Sequence, residues 1–266
     1  MPEIFQYQFM IRAFLAGIAI SIITPLIGSF IVVKRLSLIA DTLSHIALAG
    51  VAIALVTRQE PLLITIAVTV ISSIAIEKLR INNRIPGEVV LAMFLPAGLS
   101  VSLILLSMAN GLNTNIFSFL FGSISTVTNF DLIMISVLTA ITAVIIFYFY
   151  KKIFYTSFDE EGAEVNGINT KNINMLIMIL VAVTVSLSIR IVGALLVGAL
   201  MVIPVITAMQ MARSFKSSIF ISIVFALISV LLGLVIAFYL GFPAGATIVI
   251  LSLIIFGIVS IFFKRK

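Results

Sequence analysis

Long apolar stretches separated by short polar connections run through the chain, and they constrain its fold more than any other feature. Of its 266 residues, 62% are hydrophobic and only 10% are charged, and the mean hydropathy is +1.33. Soluble domains carry about 25% charged residues, so these stretches must lie in lipid, where the backbone can satisfy its hydrogen bonds only as helices. The chain is therefore predicted to be an all-α, polytopic transmembrane bundle that forms one domain over residues 1–266.

A membrane span needs about 20 apolar residues, and nine stretches come close to this length. Tight boundaries near residues 189–191 and 240–243 leave a range of eight to ten spans. The break at Arg190 either joins two short spans or marks a re-entrant turn. The candidate spans are residues 11–33, 38–56, 61–79, 88–108, 130–150, 173–189, 191–211, 218–240 and 243–263.

The net charge of +6 does not indicate nucleic-acid binding, because the basic residues lie in short clusters between the apolar stretches. Basic clusters fall on alternate connections, as the positive-inside rule expects for cytoplasmic loops, which places the N-terminus outside and the C-terminus inside. Arg58 and Arg190 are the only basic residues in the other connections. The first apolar run is too long for a cleavable signal peptide. The clusters are Lys34-Arg35, Lys78-Arg80-Arg84, Lys151-Lys152, Arg213-Lys216 and Lys264-Arg265-Lys266.

Two ionisable residues interrupt the second apolar stretch. His45 is the only histidine of the chain, and Asp41 is the only acid well inside any predicted span. Their spacing of four places both side chains on one face of a helix. An ionisable group at membrane depth costs roughly 2.5–3.5 kcal/mol and usually marks function, and a carboxylate with an imidazole suits a divalent transition metal.

Two ligands do not complete a metal site, because zinc takes about four. A symmetric dimer would supply the same pair twice around its axis, and incomplete coordination also suits a site that must release its ion. The alternative is a structural histidine held by a neighbouring aspartate. The chain has no cysteine, so thiolate ligands and disulfides are excluded, and nothing in it favours a membrane enzyme.

Two connections are long enough to carry a function. Residues 109–115 form a polar loop, predicted external, followed by a short interfacial helix over 116–122. Residues 158–167, predicted cytoplasmic, contain four of the ten acids, and Gly167 suits a helix stop. This segment is either a solvated loop or a short helix that docks a soluble partner. No glycine-rich phosphate loop is present, so ATP hydrolysis would belong to another chain.

Four segments resemble the membrane permease subunits of bacterial ABC importers for zinc, manganese and iron. Residues 35–45 resemble the family's Arg-x-x-x…Asp-x-Leu-x-His motif, and 121–124 resemble its Phe-Gly-Ser stretch. Residues 158–167 resemble the segment that contacts the ATPase, and 193–213 resemble a late helix pair that includes Pro204.

The resemblance implies a type II-like importer architecture. Two permease copies would form the pathway, a cytosolic ATPase dimer would power it, and an extracellular or periplasmic metal-binding protein would deliver Zn²⁺ or Mn²⁺, with Fe²⁺ a third candidate. Asp41 and His45 would coordinate the passing ion, and no tightly bound cofactor is expected. The ATPase would contact the coupling segment, represented by Phe158, Asp159, Glu160, Glu161, Ala163 and Gly167.

Two other transport functions remain open from the residues. A related permease could import a metal chelate, such as a siderophore or corrinoid, through a wide cavity without direct ligands. A secondary transporter driven by an ion gradient could use Asp41 and His45 as a proton relay, without an ATPase partner.

Overall fold

The computed structural model describes residues 3–82, 85–108, 115–123, 125 and 127–263, and the secondary structure within these ranges is helical. A short 3₁₀ helix, Glu3–Gln6, precedes the α-helices. Arg84, residues 109–114, Ile124 and the Lys264-Arg265-Lys266 cluster lie outside the described residues. The helices are α1 (Gln8–Val33), α2 (Leu38–Thr57), α3 (Pro61–Asn82), α4 (Gly87–Met108), α5 (Asn115–Phe121), α6 (Asn129–Phe158), α7 (Glu160–Val165), α8 (Thr170–Ser188), α9 (Val197–Met211), α10 (Phe215–Leu240) and α11 (Ala244–Phe262).

The all-α membrane fold predicted from hydropathy is confirmed. Within the described residues, eight helices are long and apolar enough to cross a membrane, and α9 is a shorter apolar helix. At 1.5 Å per residue, its 15 residues extend about 22 Å, less than the roughly 30 Å hydrocarbon layer. The stretch predicted as a span from residue 191 therefore becomes helical only at Val197, after an irregular segment over residues 189–196.

The bundle has its most buried helices at its centre. α1 packs against α6, α8, α9 and α10, whereas α2 packs mainly against α3 and α4. α8 contacts members of both groups and connects them. Close approach of α2 and α3 depends on Gly50, because a Cβ there would meet the backbone of Thr65.

A tight turn after α1 sets where α2 begins. The backbone N–H groups of Lys34, Arg35 and Leu36 donate to carbonyl oxygens of the last turns of α1. Arg35 adopts a left-handed conformation, with φ of 59°. This turn directs the chain back into the bundle, so that Asp41 lies in the first turn of α2.

The irregular segment over residues 189–196 packs against α5 and the turn that follows it. The N–H of Ala194 donates to the Phe119 carbonyl at 2.7 Å, and the N–H of Ser123 donates to the Arg190 carbonyl at 3.2 Å. Gly122 and Gly193 have positive φ values and lie backbone to backbone, where a Cβ on either would collide. The predicted break at Arg190 and the predicted short helix are therefore parts of one packed unit.

Candidate functional site

Asp41 and His45 lie one turn apart on α2, as their spacing predicted. Both side chains are half-buried and lie close enough for their charges to interact. Their neighbours Thr42 and Ser44 are buried and donate their hydroxyls to the carbonyls of Leu38 and Ala40, four residues earlier. The local polar groups of α2 are thus satisfied within the helix, and the acid and the imidazole remain for another role.

The Asp41 carboxylate packs against the beginning of α9. A Cβ on Gly198, the second residue of α9, would overlap Oδ1 of Asp41. The N-terminal turn of a helix carries partial positive charge from its unpaired N–H groups and stabilises a nearby anion. The small-residue sequence at 193–204 therefore provides the close approach that brings this helix end to the carboxylate.

One ring nitrogen of the His45 imidazole has no partner among the described residues. This nitrogen, Nδ1, is buried. A buried polar nitrogen without a partner is costly, and a neutral imidazole nitrogen is also a common ligand for divalent transition metals. The chemistry of this pair thus fits an incoming metal ion.

Asp41 and His45 alone would supply only half of a typical metal site. The described part of the chain contains no group of three or more His, Asp or Glu side chains placed to hold one ion. One oxygen ligand and one nitrogen ligand are half of the four that zinc prefers. A metal site built on Asp41 and His45 would therefore need further ligands from outside the described residues of one chain.

Two further acids are buried inside the bundle, close to the ends of the predicted spans 61–79 and 130–150. Glu77 in α3 and Asp131 in α6 are fully buried, more so than Asp41. Each is paired: Glu77 accepts two bonds from Arg80 at 2.7 and 2.8 Å, and Asp131 lies 3.2 Å from Nη1 of Arg190. Sequence analysis did not identify either ion pair.

The acidic connection forms a short helix, which is one of the two alternatives that its sequence left open. α7 begins after Asp159, whose side chain accepts the N–H of Gly162 at 2.9 Å, and it carries Glu160 and Glu161 in its first turn. Ala163 is completely buried, and the chain leaves the helix at Gly167, with φ of 79°. Phe158, at the end of α6, is 54% exposed beside the ring of Phe215.

A polar network joins α7 to the turn that precedes α2. Lys34 donates to Oδ1 of Asn174 at 2.7 Å and to the Thr156 carbonyl at 3.1 Å, and it lies 3.5 Å from the Glu160 carboxylate. Asn174 donates in turn to Glu160 at 2.6 Å. Burial lowers the pKa of the Lys34 amine, and the Glu160 carboxylate opposes that shift. The network gathers α1, α6, α7 and α8 at one end of the bundle.

A bundle with eight helices long and apolar enough to cross a membrane, among the described residues, defines an integral-membrane protein. Residues 6–264 match the ABC 3 transport family. The chain therefore belongs to this family, and it is a membrane permease of the ABC class. Membership argues against the gradient-driven secondary transporter.

Curated relatives extend over nearly the whole chain. It is 31% identical over 261 residues to the high-affinity zinc uptake system membrane protein ZnuB of Haemophilus influenzae, covering 98% of this chain and 99% of that protein. It is 27% identical to the manganese transport system membrane protein MntC of Listeria monocytogenes, covering 98% of this chain and 93% of that protein.

Solved structures share the fold. PsaBC from Streptococcus pneumoniae, in complex with Fab, superposes with a TM-score of 0.87 at 28% identity, covering 97% of this chain and 92% of the matched chain. A structure described as an inward-facing metal-chelate type ABC transporter gives a TM-score of 0.74 at 17% identity, covering 95% and 85%. The second likeness concerns the fold alone.

Proposed function

We propose that this chain is the permease subunit of an ATP-driven importer of divalent transition metal ions in a bacterial cytoplasmic membrane. Zinc and manganese are the first candidates, because relatives named for each metal match almost the whole chain, and ferrous iron is a third. The chain acts as a single transmembrane domain, and the ion is its cargo. It holds no tightly bound cofactor, and ATP hydrolysis belongs to a separate subunit.

The observation that carries this proposal is the half-buried Asp41/His45 pair with its unsatisfied imidazole nitrogen. An ionisable pair within an apolar helix is expensive unless a pathway or a bound ion uses it. A mixed oxygen and nitrogen donor set suits zinc and tolerates manganese. A chelate importer would not require direct ligands of this kind.

A second copy of the chain completes the coordination. In a two-fold symmetric dimer each copy presents the same surface to the axis, so two Asp41/His45 pairs provide four ligands around one ion. This number matches the tetrahedral preference of zinc. Alternating access then requires the two α2 helices to approach and separate.

The coupling segment links this movement to the ATPase dimer. α7 is held to the bundle through buried Ala163, while Val165 at its end is 88% exposed. This exposed apolar side chain is the point of contact that we propose for the ATPase. Through Glu160 and Lys34, displacement of α7 acts on the turn that begins α2 and therefore on the metal pair. A metal-binding protein delivers the ion at the opposite end of the bundle.

His45→Ala tests the proposed ion pathway in proteoliposomes that contain the permease and its ATPase. We expect ATP-dependent uptake of zinc or manganese to fall by more than about tenfold, because loss of even supporting groups around a metal costs 10–100-fold. Ser44→Ala is the matched control, since Ser44 is adjacent, buried and bonded within its own helix.

Uptake by His45→Ala at the wild-type rate would refute the proposed ligand role. Loss of uptake in both variants would indicate a packing defect of α2. Uptake of a metal chelate that survives in His45→Ala, with no uptake of the free ion by the wild type, would favour the chelate importer.

Val165→Asp tests the docking role of α7 separately. A carboxylate at this exposed position would oppose an apolar contact, so less ATPase subunit should co-purify with the variant. Val165→Thr keeps the shape of the side chain and should retain the ATPase. Recovery of as much ATPase with Val165→Asp as with the wild type would exclude this contact. It would not bear on the metal site, which the uptake assay tests separately.

A further inference from the structure

A groove on the outside of the bundle is lined mostly by residues that are distant in sequence from Asp41 and His45. It runs between α6 and α10, with Leu26 of α1 also among its lining residues, and its volume is about 810 Å³. Such a volume falls within the roughly 300–1,000 Å³ of pockets that hold small ligands. None of its lining residues belongs to α2. The lining is Leu26, Ala143, Ile146, Phe147, Tyr148, Tyr150, Lys151, Lys152, Lys216 and Ile219.

One part of the groove is apolar and faces outward. Phe147 is 87% exposed and Tyr148 is 80% exposed, beside the half-buried Ala143. In a helix predicted to cross the membrane, apolar side chains with this exposure contact lipid tails. Aromatic residues also concentrate where the hydrocarbon meets the headgroups, so Tyr148 and Tyr150 mark the level of that boundary.

Three lysines converge at the other part of the groove. Lys151 and Lys152 come from α6, and Lys216 comes from the first turn of α10; all three are exposed. Nζ of Lys216 lies 5.7 Å from the centre of the Tyr150 ring, within the range of a cation–π contact. Among the described residues, no carboxylate forms an ion pair with any of the three.

The distance of Lys151 and Lys152 from the start of α6 matches the thickness of a bilayer. At 1.5 Å per residue, Lys151 lies about 30 Å along the helix from Asp131, which is the thickness of the hydrocarbon layer. Lys151 and Lys152 therefore lie at the headgroup level of one leaflet when Asp131 lies at the boundary of the other leaflet. Basic pockets between membrane helices on the cytoplasmic side are suited to anionic lipid headgroups.

We infer that this groove is a binding site for an anionic phospholipid of the cytoplasmic leaflet, with an acyl chain along Ala143 and Phe147 and the phosphate among Lys151, Lys152 and Lys216. Charge complementarity selects this occupant. A second copy of the chain on the same face would bring the lysines of both copies into one interface, because a two-fold interface uses the same patch twice. The site is independent of the metal proposal.

Lipid enrichment around the full-length protein tests this site. The protein is reconstituted in nanodiscs of mixed phosphatidylglycerol and phosphatidylcholine, extracted in mild detergent, and its retained lipids are counted by mass spectrometry. We expect phosphatidylglycerol to be enriched, and the triple variant Lys151→Gln/Lys152→Gln/Lys216→Gln to lose most of this enrichment, by about tenfold or more. The control Lys78→Gln/Lys171→Gln/Arg213→Gln removes three exposed basic charges elsewhere and should keep it.

A second variant separates a built groove from general surface charge. Ala143→Phe fills the groove and leaves the lysines in place, so enrichment should fall. Val144→Phe, one residue along at a 66% exposed position outside the lining, should not change it. Unchanged enrichment in the lysine triple variant, equal loss in the control triple variant, or unchanged enrichment in Ala143→Phe would each overturn the site.

Discussion

At the scale of single residues, the candidate metal site depends on what lies beside the Asp41 carboxylate. The missing side chain of Gly198 leaves the space that this carboxylate occupies, and the first turn of α9 lies against it. Asp41 is half-buried, so its carboxylate can rotate toward the open side if that space is filled. Gly198 should therefore affect where the ligand points more than whether the protein folds.

Gly198→Ala tests this dependence. The added Cβ would displace Oδ1 of Asp41, so metal affinity should fall by about tenfold or more, as for other groups that orient metal ligands. The melting temperature in detergent should change little, because the displaced atoms are the end of a side chain. Competition titration with zinc and thermal unfolding measure the two effects on the same sample.

Gly257→Ala provides the matched control in α11. A Cβ there has no neighbour within 4 Å, and the same substitution in a helix interior is favourable by roughly 0.5–1 kcal/mol. This variant should keep its metal affinity. Wild-type affinity in Gly198→Ala would show that the approach of α9 does not position Asp41.

The pairing of Asp41 with His45 could be predicted from sequence because helical spacing alone determines it. The contact with Gly198 could not, since 157 positions separate it from Asp41 and only the tertiary packing joins them. The small residues at 193–204 indicated close packing without naming the partner. The Glu77–Arg80 ion pair, in contrast, has a helical i,i+3 spacing that is visible in the sequence, although sequence analysis did not single it out.

At the scale of elements, the least predictable part of the fold is the irregular segment at 189–196. Hydropathy marked a break at Arg190, but it did not show that α5 would pack there or that Asp131 would pair with the arginine. Asp131 also closes a capping box with Thr128 at the start of α6. This Thr-x-x-Asp pattern is visible in the sequence, whereas the ion pair across 59 positions is not.

Asp131→Asn tests the contribution of that ion pair. The amide preserves size and capping geometry but removes the charge that balances Arg190, whose side chain is 10% exposed. Removing one partner of a buried ion pair costs roughly 3–5 kcal/mol, so the variant should melt at a markedly lower temperature in detergent. Asp131→Asn/Arg190→Gln removes both charges and should recover much of the loss. A single variant as stable as the wild type would show that the pair does not hold this segment.

At the scale of the whole molecule, the central question is how one chain provides a complete metal site. Composition and hydropathy were sufficient to predict a helical membrane bundle, because few other folds accommodate so many apolar stretches. The described residues bring only two candidate ligands together. A symmetric pair of chains is the simplest way to double this number without further residues.

Metal stoichiometry of the purified dimer tests the account most directly. Zinc-loaded wild-type protein should contain about one ion for every two chains by elemental analysis, in keeping with four ligands from two copies. The Asp41→Ala/His45→Ala variant should contain none, while Ser44→Ala should bind as the wild type does. Equal zinc content in the wild type and the double variant, or one ion on each isolated chain, would contradict a shared site formed by Asp41 and His45.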